Sequence, residues 1–222
     1  MNDVFGIDLG TTYSCIAYVD EYGKPVVLKN SDGDHTTPSV VMAESKDNII
    51  VGTEAKRSVE MEPEKTVQFI KRKMGKEEDT VTLNGITYHA PEISAMILKK
   101  LVADANSELK QTGVIQDGQE FNNVVITCPA YFGMNERQAT KTAGELAGLN
   151  VLNIINEPTA AAISYGVSGN NKNETVLVYD LGGGTFDITV MNIQGSNITV
   201  ICTGGDDQLG GKDWDEVLME YV

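Results

Sequence analysis

The sequence contains two copies of a turn motif that could hold a phosphate group. Both copies begin with Asp-Leu-Gly and run to a threonine, at residues 8–12 and 180–185. Glycine lets backbone amides approach a bound anion closely, and threonine adds a hydroxyl donor. One copy alone would be better explained as a tight turn between strands. Two copies, each starting at the end of an apolar segment, favour a phosphate contacted from two sides. The donors would come from Gly10, Thr11, Thr12, Gly182, Gly183, Gly184 and Thr185.

Three aspartates accompany these turns and could bind a metal ion. Asp8 and Asp180 end the two apolar segments, and Asp187 lies between Phe186 and Ile188. Magnesium usually takes one or two protein carboxylates and completes its shell with water and substrate phosphates. Aspartate is also a common turn former. Because an acid within an apolar strand is unfavourable, turn formation does not explain Asp187. The pattern predicts Mg²⁺ binding, directly or through water.

Lys71 and Glu157 have structural explanations when only their local sequence is considered. Lys71 belongs to the basic run 71–73, and such runs usually form a solvated face. Glu157 precedes Pro158 at a predicted helix start, where the helix dipole favours a carboxylate. Other phosphate motifs are missing from the sequence, since there is no Gly-x-Gly-x-x-Gly and residues 205–212 lack the Ser or Thr of a P-loop.

Composition and charge restrict the classes of protein to which this chain can belong. The chain has 222 residues, of which 41% are hydrophobic and 22% charged, as in a soluble globular protein of one or two domains. A net charge of −15 opposes binding to nucleic acid and to anionic membranes. Cys15, Cys128 and Cys202 lie singly in apolar runs, so we expect reduced core thiols. With no signal peptide and no membrane-length apolar segment in the sequence, we expect a cytoplasmic protein.

Hydrophobic periodicity predicts the elements that would position the two turns. Strands are predicted at 4–9, 13–19, 25–28, 39–43, 49–51, 80–83, 86–89, 124–128, 151–155, 176–181, 186–193 and 198–203. Helices are predicted from Thr53 (with its hydroxyl as N-cap), at 90–111, 135–147 and 158–165, and from about 210 to the end. Asn84-Gly85 predicts a type I′ hairpin. The alternation of strands and helices indicates α/β layers, with a second, shorter copy beginning at the second motif.

Seen together, these segments resemble the N-terminal ATPase domain of the seventy-kilodalton heat-shock chaperones of the DnaK type. The matching segments, in family order, are 6–14, 69–72, 129–132, 136–140, 155–162, 179–187 and 209–211. The resemblance implies an α/β, actin-like ATPase domain in which two lobes, each with a ribonuclease H-like motif, close over MgATP. Residues 1–170 would form a complete lobe I, with a reduced upper subdomain at about 39–113. Residues 171–222 would form the truncated start of lobe II, with three strands and one helix.

The same resemblance implies roles for individual residues. Phosphates of ATP or ADP would be held by Gly10, Thr11, Thr12 and Tyr13 from lobe I and by Gly182, Gly183, Gly184 and Thr185 from lobe II. Mg²⁺, its waters and further cations such as K⁺ would be arranged by Asp8, Glu157, Asp180 and Asp187. Catalysis would depend on Lys71, which places the attacking water, together with Glu157, Asp180 and Thr185. Pro129 and Arg137 would relay the nucleotide state toward a substrate domain.

The sequence departs from the family pattern at three places and at its end. Segment 74–90 is much shorter than usual, Asn153 replaces a common arginine, and Lys212 replaces an acid. The segments that enclose adenosine and bind peptide would follow residue 222, so we expect this polypeptide alone to bind nucleotide weakly and hydrolyse it negligibly. The resemblance implies unfolded client polypeptides as partners through that missing domain, with a J-domain co-chaperone and a nucleotide-exchange factor. We also expect self-association through the incomplete lobe II.

Three alternative functions stay open from the sequence. Sugar and metabolite kinases share the fold and the phosphate turns, although segments 129–132 and 157–162 match the chaperones instead. An actin-like filament subunit would show nucleotide-dependent polymerisation. A non-catalytic interaction module would retain the fold without turnover.

Overall fold

The computed structural model describes residues 3–46, 48–168, 173–195 and 197–221, and the chain forms two compact units. The first unit comprises residues 1–126 and 134–154, and the second comprises 127–133 and 155–222. The predicted lobe boundary near residue 170 stays a prediction. None of the helices in the described ranges has the length and apolar character that a membrane span requires.

The described elements follow the predicted order closely. The strands are β1 Val4–Asp8, β2 Tyr13–Val19, β3 Pro25–Val27, β4 Thr37–Pro38, β5 Val41–Ala43, β6 Ile49–Val51, β7 Thr66–Val67, β8 Thr80–Leu83, β9 Ile86–His89, β10 Asn123–Cys128, β11 Asn150–Asn156, β12 Glu174–Leu181, β13 Phe186–Gln194 and β14 Asn197–Asp206. The helices are α1 Thr53–Ser58, α2 Ala90–Gln111, α3 Met134–Leu146, α4 Glu157–Ser168 and α5 Gly211–Tyr221, with a 3-10 helix at Ile70–Lys73.

A mixed sheet carries the first predicted phosphate turn. Its strand order is β11-β10-β1-β2-β3, with β4 also paired to β2. Strand β1 runs parallel to β10 and antiparallel to β2, so the turn at residues 9–12 joins two neighbouring strands. Phe5, Ile7 and Ile126 are almost fully buried, and each such side chain stabilises the fold by about 1.5–3 kcal/mol. The core of this sheet therefore anchors the strand that leads into the turn.

Helix α2 forms where its sequence signals predict it. Pro91 lies in its first turn, and the Glu92 carboxylate accepts a hydrogen bond from the His89 amide at 2.7 Å. Gly113 follows the helix with φ 74°, a left-handed conformation that suits glycine. The apolar stripe at 93, 97, 101, 105 and 109 is buried. Both predicted ends of the helix are confirmed.

The second unit is built on a smaller antiparallel sheet. Its strand order is β12-β13-β14, and α4 packs on one face through a core of Ala162, Met191 and Ile193. Side chains on the other face of β12, such as Leu177 and Tyr179, are 61% exposed. Helix α5 buries none of its residues, and its apolar side chains at 214, 217, 218 and 221 are exposed. This unit thus presents apolar surface on its sheet and on its last helix.

Two predictions for individual residues are wrong. Thr53 is not the N-cap of α1, because Gly52 precedes the helix with φ 99° and there is no side-chain cap bond. Cys202 is exposed rather than a core thiol, because β14 lies at the edge of its sheet and most of its residues are exposed. Cys128 is buried and Cys15 is half-buried. The hairpin prediction is confirmed, since the two residues of its turn have φ values of 50° and 78°.

Candidate functional site

The first glycine turn is held by two buried serine hydroxyls. Gly10 donates its amide hydrogen to Ser14 Oγ at 3.1 Å, and its carbonyl accepts from Ser39 Oγ at 2.8 Å. The two hydroxyls lie 2.9 Å apart, and both side chains are at least 98% buried. The Ser39 amide also donates to the Thr12 carbonyl at 2.9 Å. No sequence pattern predicted a role for Ser39, which is marked only by its position directly after Pro38 at the start of a predicted strand.

The same turn has features that fit a bound phosphate. A Cβ on Gly10 would lie 1.9 Å from the Tyr13 carbonyl oxygen, so only glycine permits this backbone shape. Among the described residues, the Thr12 hydroxyl oxygen is buried and has no hydrogen-bond partner. A buried polar atom without a partner costs about 1–3 kcal/mol. A phosphate oxygen beside the turn would accept the hydrogen bond that this hydroxyl lacks.

Tyr13 closes this turn and contacts helix α1. Lys56 Nζ donates a hydrogen bond to the Tyr13 hydroxyl and lies 4.3 Å from the centroid of its ring. A cation over an exposed aromatic ring contributes about 0.5–1 kcal/mol. The contact therefore adds a modest link between the turn and α1.

Asp8 lies at the end of β1, opposite Cys15 on β2. Burial raises the pKa of the Cys15 thiol, and the negative charge of Asp8 raises this pKa further, while a backbone hydrogen bond lowers it. A raised pKa keeps the thiol protonated near neutral pH. The anionic ligand that this strand end offers a metal is therefore the Asp8 carboxylate and not a thiolate.

Lys71 is buried, so the interpretation of the basic run as a solvated face is wrong for this residue. Its side chain is only 7% exposed, although it belongs to a short 3-10 helix with two other basic residues. The reason is tertiary, because the flanking residues Ile70 and Met74 are 3% and 2% exposed and draw the segment into the core. Burying an ammonium group is unfavourable unless other groups interact with it, and Lys71 does have an interacting partner in the structure.

The second glycine turn joins β12 to β13 and is held by the start of α5. The Gly182 amide donates to the Thr185 carbonyl at 3.0 Å and closes the turn. The carbonyls of Gly182 and Gly183 accept from the amides of Gly211 and Lys212 at 3.1 and 3.0 Å. The first amides of the helix thus fix the turn from one side. The side chain of Thr185 is 9% exposed.

Two carboxylates face each other next to this second turn. Asp180 and Asp187 are direct partners in the antiparallel pairing of β12 and β13, so their Cβ atoms lie about 4.5–5.5 Å apart. Asp187 is only 4% exposed. Two neighbouring carboxylates repel each other unless a cation offsets their charge. Within the described part of the chain, no three His, Cys, Asp or Glu side chains converge as metal ligands. A carboxylate pair completed by water and phosphate is the arrangement that Mg²⁺ prefers.

Comparison with protein-family models places these features in a known family. The model of the Hsp70 protein family matches residues 4–222, a range that includes both glycine turns, Lys71 and the aspartate pair. The chain belongs to the Hsp70 family. Membership implies the actin-like ATPase fold, and the mixed sheet flanked by helices is consistent with that fold. Hsp70 proteins are ATPase chaperones that typically bind nucleotide with Mg²⁺ and act on client polypeptides together with co-chaperones.

The remaining predicted site residues of this Hsp70 chain lie in both units. Glu157 is half-buried and begins α4 in the second unit. Pro129 is buried in the same unit, whereas Arg137 lies in α3 of the first unit. Beside Asp187 the second unit contains an open cavity of about 490 Å³, lined by Tyr131 and residues 203–207. The Asp187 carboxylate therefore lies beside an open space that is large enough for several water molecules.

We expect Gly210→Ala to displace the backbone of the second glycine turn. A Cβ on Gly210 would lie 2.4 Å from the Gly184 nitrogen and 2.5 Å from the Gly183 carbonyl carbon. Since both neighbours are backbone atoms, the turn itself must move. We expect the MgATP affinity of the whole gene product, measured by calorimetry, to fall about tenfold, or about 1.4 kcal/mol.

Gly211→Ala is the matched control. A Cβ there would lie 3.8 Å from the Gly183 Cα, an ordinary contact, and alanine favours a helix over glycine by about 1 kcal/mol. Its affinity and thermal midpoint should stay at or above the parent values. Equal affinity in both variants would contradict the role assigned to the α5 start.

Proposed function

We propose that this Hsp70-family chain is the ATP-binding and ATP-hydrolysing part of a DnaK-type chaperone. In this function, hydrolysis of MgATP switches the affinity of the chaperone for unfolded polypeptides. The observation that carries the proposal is the first glycine turn, in which a rigid backbone surrounds the buried, unpartnered hydroxyl of Thr12. The second glycine turn and the buried Lys71 support it.

Binding of the nucleotide would use both glycine turns. Backbone amides and hydroxyls would hold the phosphates, from Gly10, Thr11, Thr12 and Tyr13 at the first turn and from Gly182, Gly183, Gly184 and Thr185 at the second. The Mg²⁺ ion would neutralise charge on the phosphate oxygens. It would be held, mostly through water, by Asp8, Glu157, Asp180 and Asp187, with K⁺ as a further cation.

For ATP hydrolysis, the protein has to position the reacting groups and neutralise the charge of the phosphates, rather than form a covalent bond itself. The Lys71 ammonium would lie beside the γ-phosphate, orient the attacking water and stabilise the charge of the transition state. The water oxygen bonds to the γ-phosphorus while the bond to the bridging oxygen breaks, which releases ADP and phosphate. Glu157, Asp180 and Thr185 would hold the water and phosphate in line for this attack.

The other parts of the proposal concern the chaperone cycle. Pro129 and Arg137 would relay the nucleotide state toward a substrate domain. Residues 1–170 would belong to lobe I and residues 171–222 to lobe II. The partners would be unfolded clients, a J-domain co-chaperone and a nucleotide-exchange factor in the cytoplasm. The exposed apolar side chains of β12 and α5 support self-association of this chain.

ATP binding and turnover by the whole gene product that carries this chain would test the proposal. We expect Mg²⁺-dependent nucleotide binding in calorimetry and slow release of phosphate from ATP without any sugar or metabolite acceptor. Chelation of Mg²⁺ with EDTA should abolish turnover. Phosphate release that needs an acceptor would favour a kinase instead, and saturable binding without turnover would favour an interaction module.

A further inference from the structure

The short turn that carries Lys71 is constrained at both ends by its backbone. Phe69, directly before the 3-10 helix, has φ 58° and ψ 25°, a left-handed conformation that bulky residues rarely adopt. Gly75, just after the helix, has φ 75°. Strained residues of this kind persist only where the surrounding structure holds them, and they cluster at functional sites. The backbone of residues 69–75 is therefore held in one specific path.

Gly75 contacts the first turn of α3 without any space for a side chain. A Cβ on Gly75 would lie 2.9 Å from the Glu136 amide nitrogen, 2.9 Å from its Cγ and 3.1 Å from its Cα. Two of these three atoms belong to the backbone, so a change of rotamer cannot relieve the overlap. The Glu136 carbonyl also accepts a hydrogen bond from the Thr140 hydroxyl at 2.8 Å, which ties this residue into its helix. The end of the Lys71 turn thus rests against a fixed surface.

The middle of the turn is held by the core and by α2. The hydroxyl of Ser94 in α2 donates to the Met74 sulfur at 3.8 Å, and both residues are at least 98% buried. The side chain of Ile70 is 3% exposed. With its start, middle and end all fixed, the turn has little freedom to change the position of the Lys71 Cα.

We propose that Gly75 is a positioning residue for Lys71 and that Phe69 fixes the other end of the same turn. The proposal rests on the function proposed above, in which the Lys71 ammonium orients the attacking water. The turn is seated on α3 by the Gly75 contact, and a side chain at this position displaces the turn from the helix. The displacement moves Lys71 away from the reacting atoms but leaves the two glycine turns that bind the phosphates in place. Gly75 therefore controls the rate of hydrolysis and not the affinity for nucleotide.

Gly75→Ala and Gly85→Ala form a matched pair for the test. Gly85 has φ 78°, close to the 75° of Gly75, but a Cβ there would have nothing within 4 Å. Both variants therefore carry the same conformational penalty, and only Gly75→Ala carries the overlap with Glu136. We expect Gly75→Ala to lower the single-turnover rate of ATP hydrolysis about tenfold or more, because small misplacements of a catalytic group have large effects on rate. Its dissociation constant for MgATP should stay within about twofold, because the contacts that bind the ground state and the transition state equally are retained. Gly85→Ala should change neither quantity.

A second pair of variants covers the outcome in which Gly75→Ala does not fold. Phe69→Asn and Phe69→Val both remove the aromatic ring, but asparagine tolerates the left-handed conformation and a β-branched valine does not. We expect hydrolysis to be slower in Phe69→Val than in Phe69→Asn, at equal nucleotide affinity.

The outcomes separate this inference from the function on which it rests. Equal hydrolysis rates in Gly75→Ala and Gly85→Ala, or in the two Phe69 variants, would overturn the positioning role. All these variants are compared in the whole gene product that carries this chain. If that parent protein does not hydrolyse ATP, or if Lys71→Ala hydrolyses it at the parent rate, the proposed function fails instead. A rate that falls in Gly75→Ala alone, with unchanged affinity, would support the proposal.

Discussion

Replacement of Lys71 by alanine in the whole gene product is expected to reduce ATP turnover by about 100-fold or more, the range seen when one preorganised charge donor is removed from a transition state. The side chain is 7% exposed, so water cannot easily replace the lost ammonium group. Nucleotide affinity should change by less than about fivefold, because the phosphate contacts proposed for the ground state come from the glycine turns and not from Lys71. Phosphate release and calorimetric titration on the same preparation would measure both quantities.

Lys73→Ala is the control for this experiment, since it removes a second lysine from the same basic run. Lys73 is half-buried and its ammonium donates to the Thr80 carbonyl at 3.3 Å. We expect its turnover to stay within about twofold of the parent, because a single exposed polar contact contributes little. If both lysines reduced turnover equally, the effect would be a general loss of positive charge and not a role of Lys71.

Replacement of Gly10 by alanine is expected to weaken nucleotide binding by the whole gene product strongly. The new Cβ would lie 1.9 Å from the Tyr13 carbonyl oxygen, so the turn must open. Opening separates Gly10 from the hydroxyls of Ser14 and Ser39 and moves the backbone amides that would face the phosphates. We expect the dissociation constant for MgATP to rise about 100-fold, which corresponds to about 2.7 kcal/mol. Overpacking of this kind should also lower the free energy of unfolding by about 1–3 kcal/mol.

Gly6→Ala is the matched control, four residues earlier in the same polypeptide segment. Gly6 lies in β1, and a Cβ there would have nothing within 4 Å. Its nucleotide affinity and its thermal midpoint should match those of the parent. Circular dichroism of both variants would confirm that the comparison is made between folded proteins. Similar affinities for Gly6→Ala and Gly10→Ala would contradict a phosphate role for the first turn.

Much of the secondary structure could be predicted because its signals are local. The hairpin of β8 and β9 follows from Asn84-Gly85, since both residues accept the positive φ that a type I′ turn requires. The ends of α2 follow from three residues. Pro91 and Glu92 suit the first turn, where the Glu92 carboxylate accepts a backbone hydrogen bond, and Gly113 ends the helix whatever the rest of the chain contains. The cap of α1 was misassigned because both Gly52 and Thr53 suit a helix start. Nothing in the short segment itself distinguishes them.

The burial of individual side chains could not be predicted in the same way. Lys71 was expected to be solvated when its basic neighbours alone were considered, and only the resemblance to a family indicated otherwise. Cys202 was expected in the core because it lies in an apolar run, yet its strand lies at the edge of a sheet. Burial depends on which elements cover a residue, and those elements are distant in the sequence.

The sequence alone determined the two glycine turns, the aspartates beside them and the family to which the chain belongs. These are properties of residue type and short spacing, because glycine lets backbone amides approach an anion closely and only a few residue types bind phosphate and magnesium. The tertiary structure decided which hydroxyls and amides support the turns: Ser39 beneath the first, and the start of α5 against the second. It also decided that Lys71 is buried and that its turn ends against α3 at Gly75. These contacts join residues from 25 to 61 positions apart in the chain, such as Ser14 with Ser39 and Gly75 with Glu136. No local pattern encodes them, because packing between distant segments is settled only when the chain has folded.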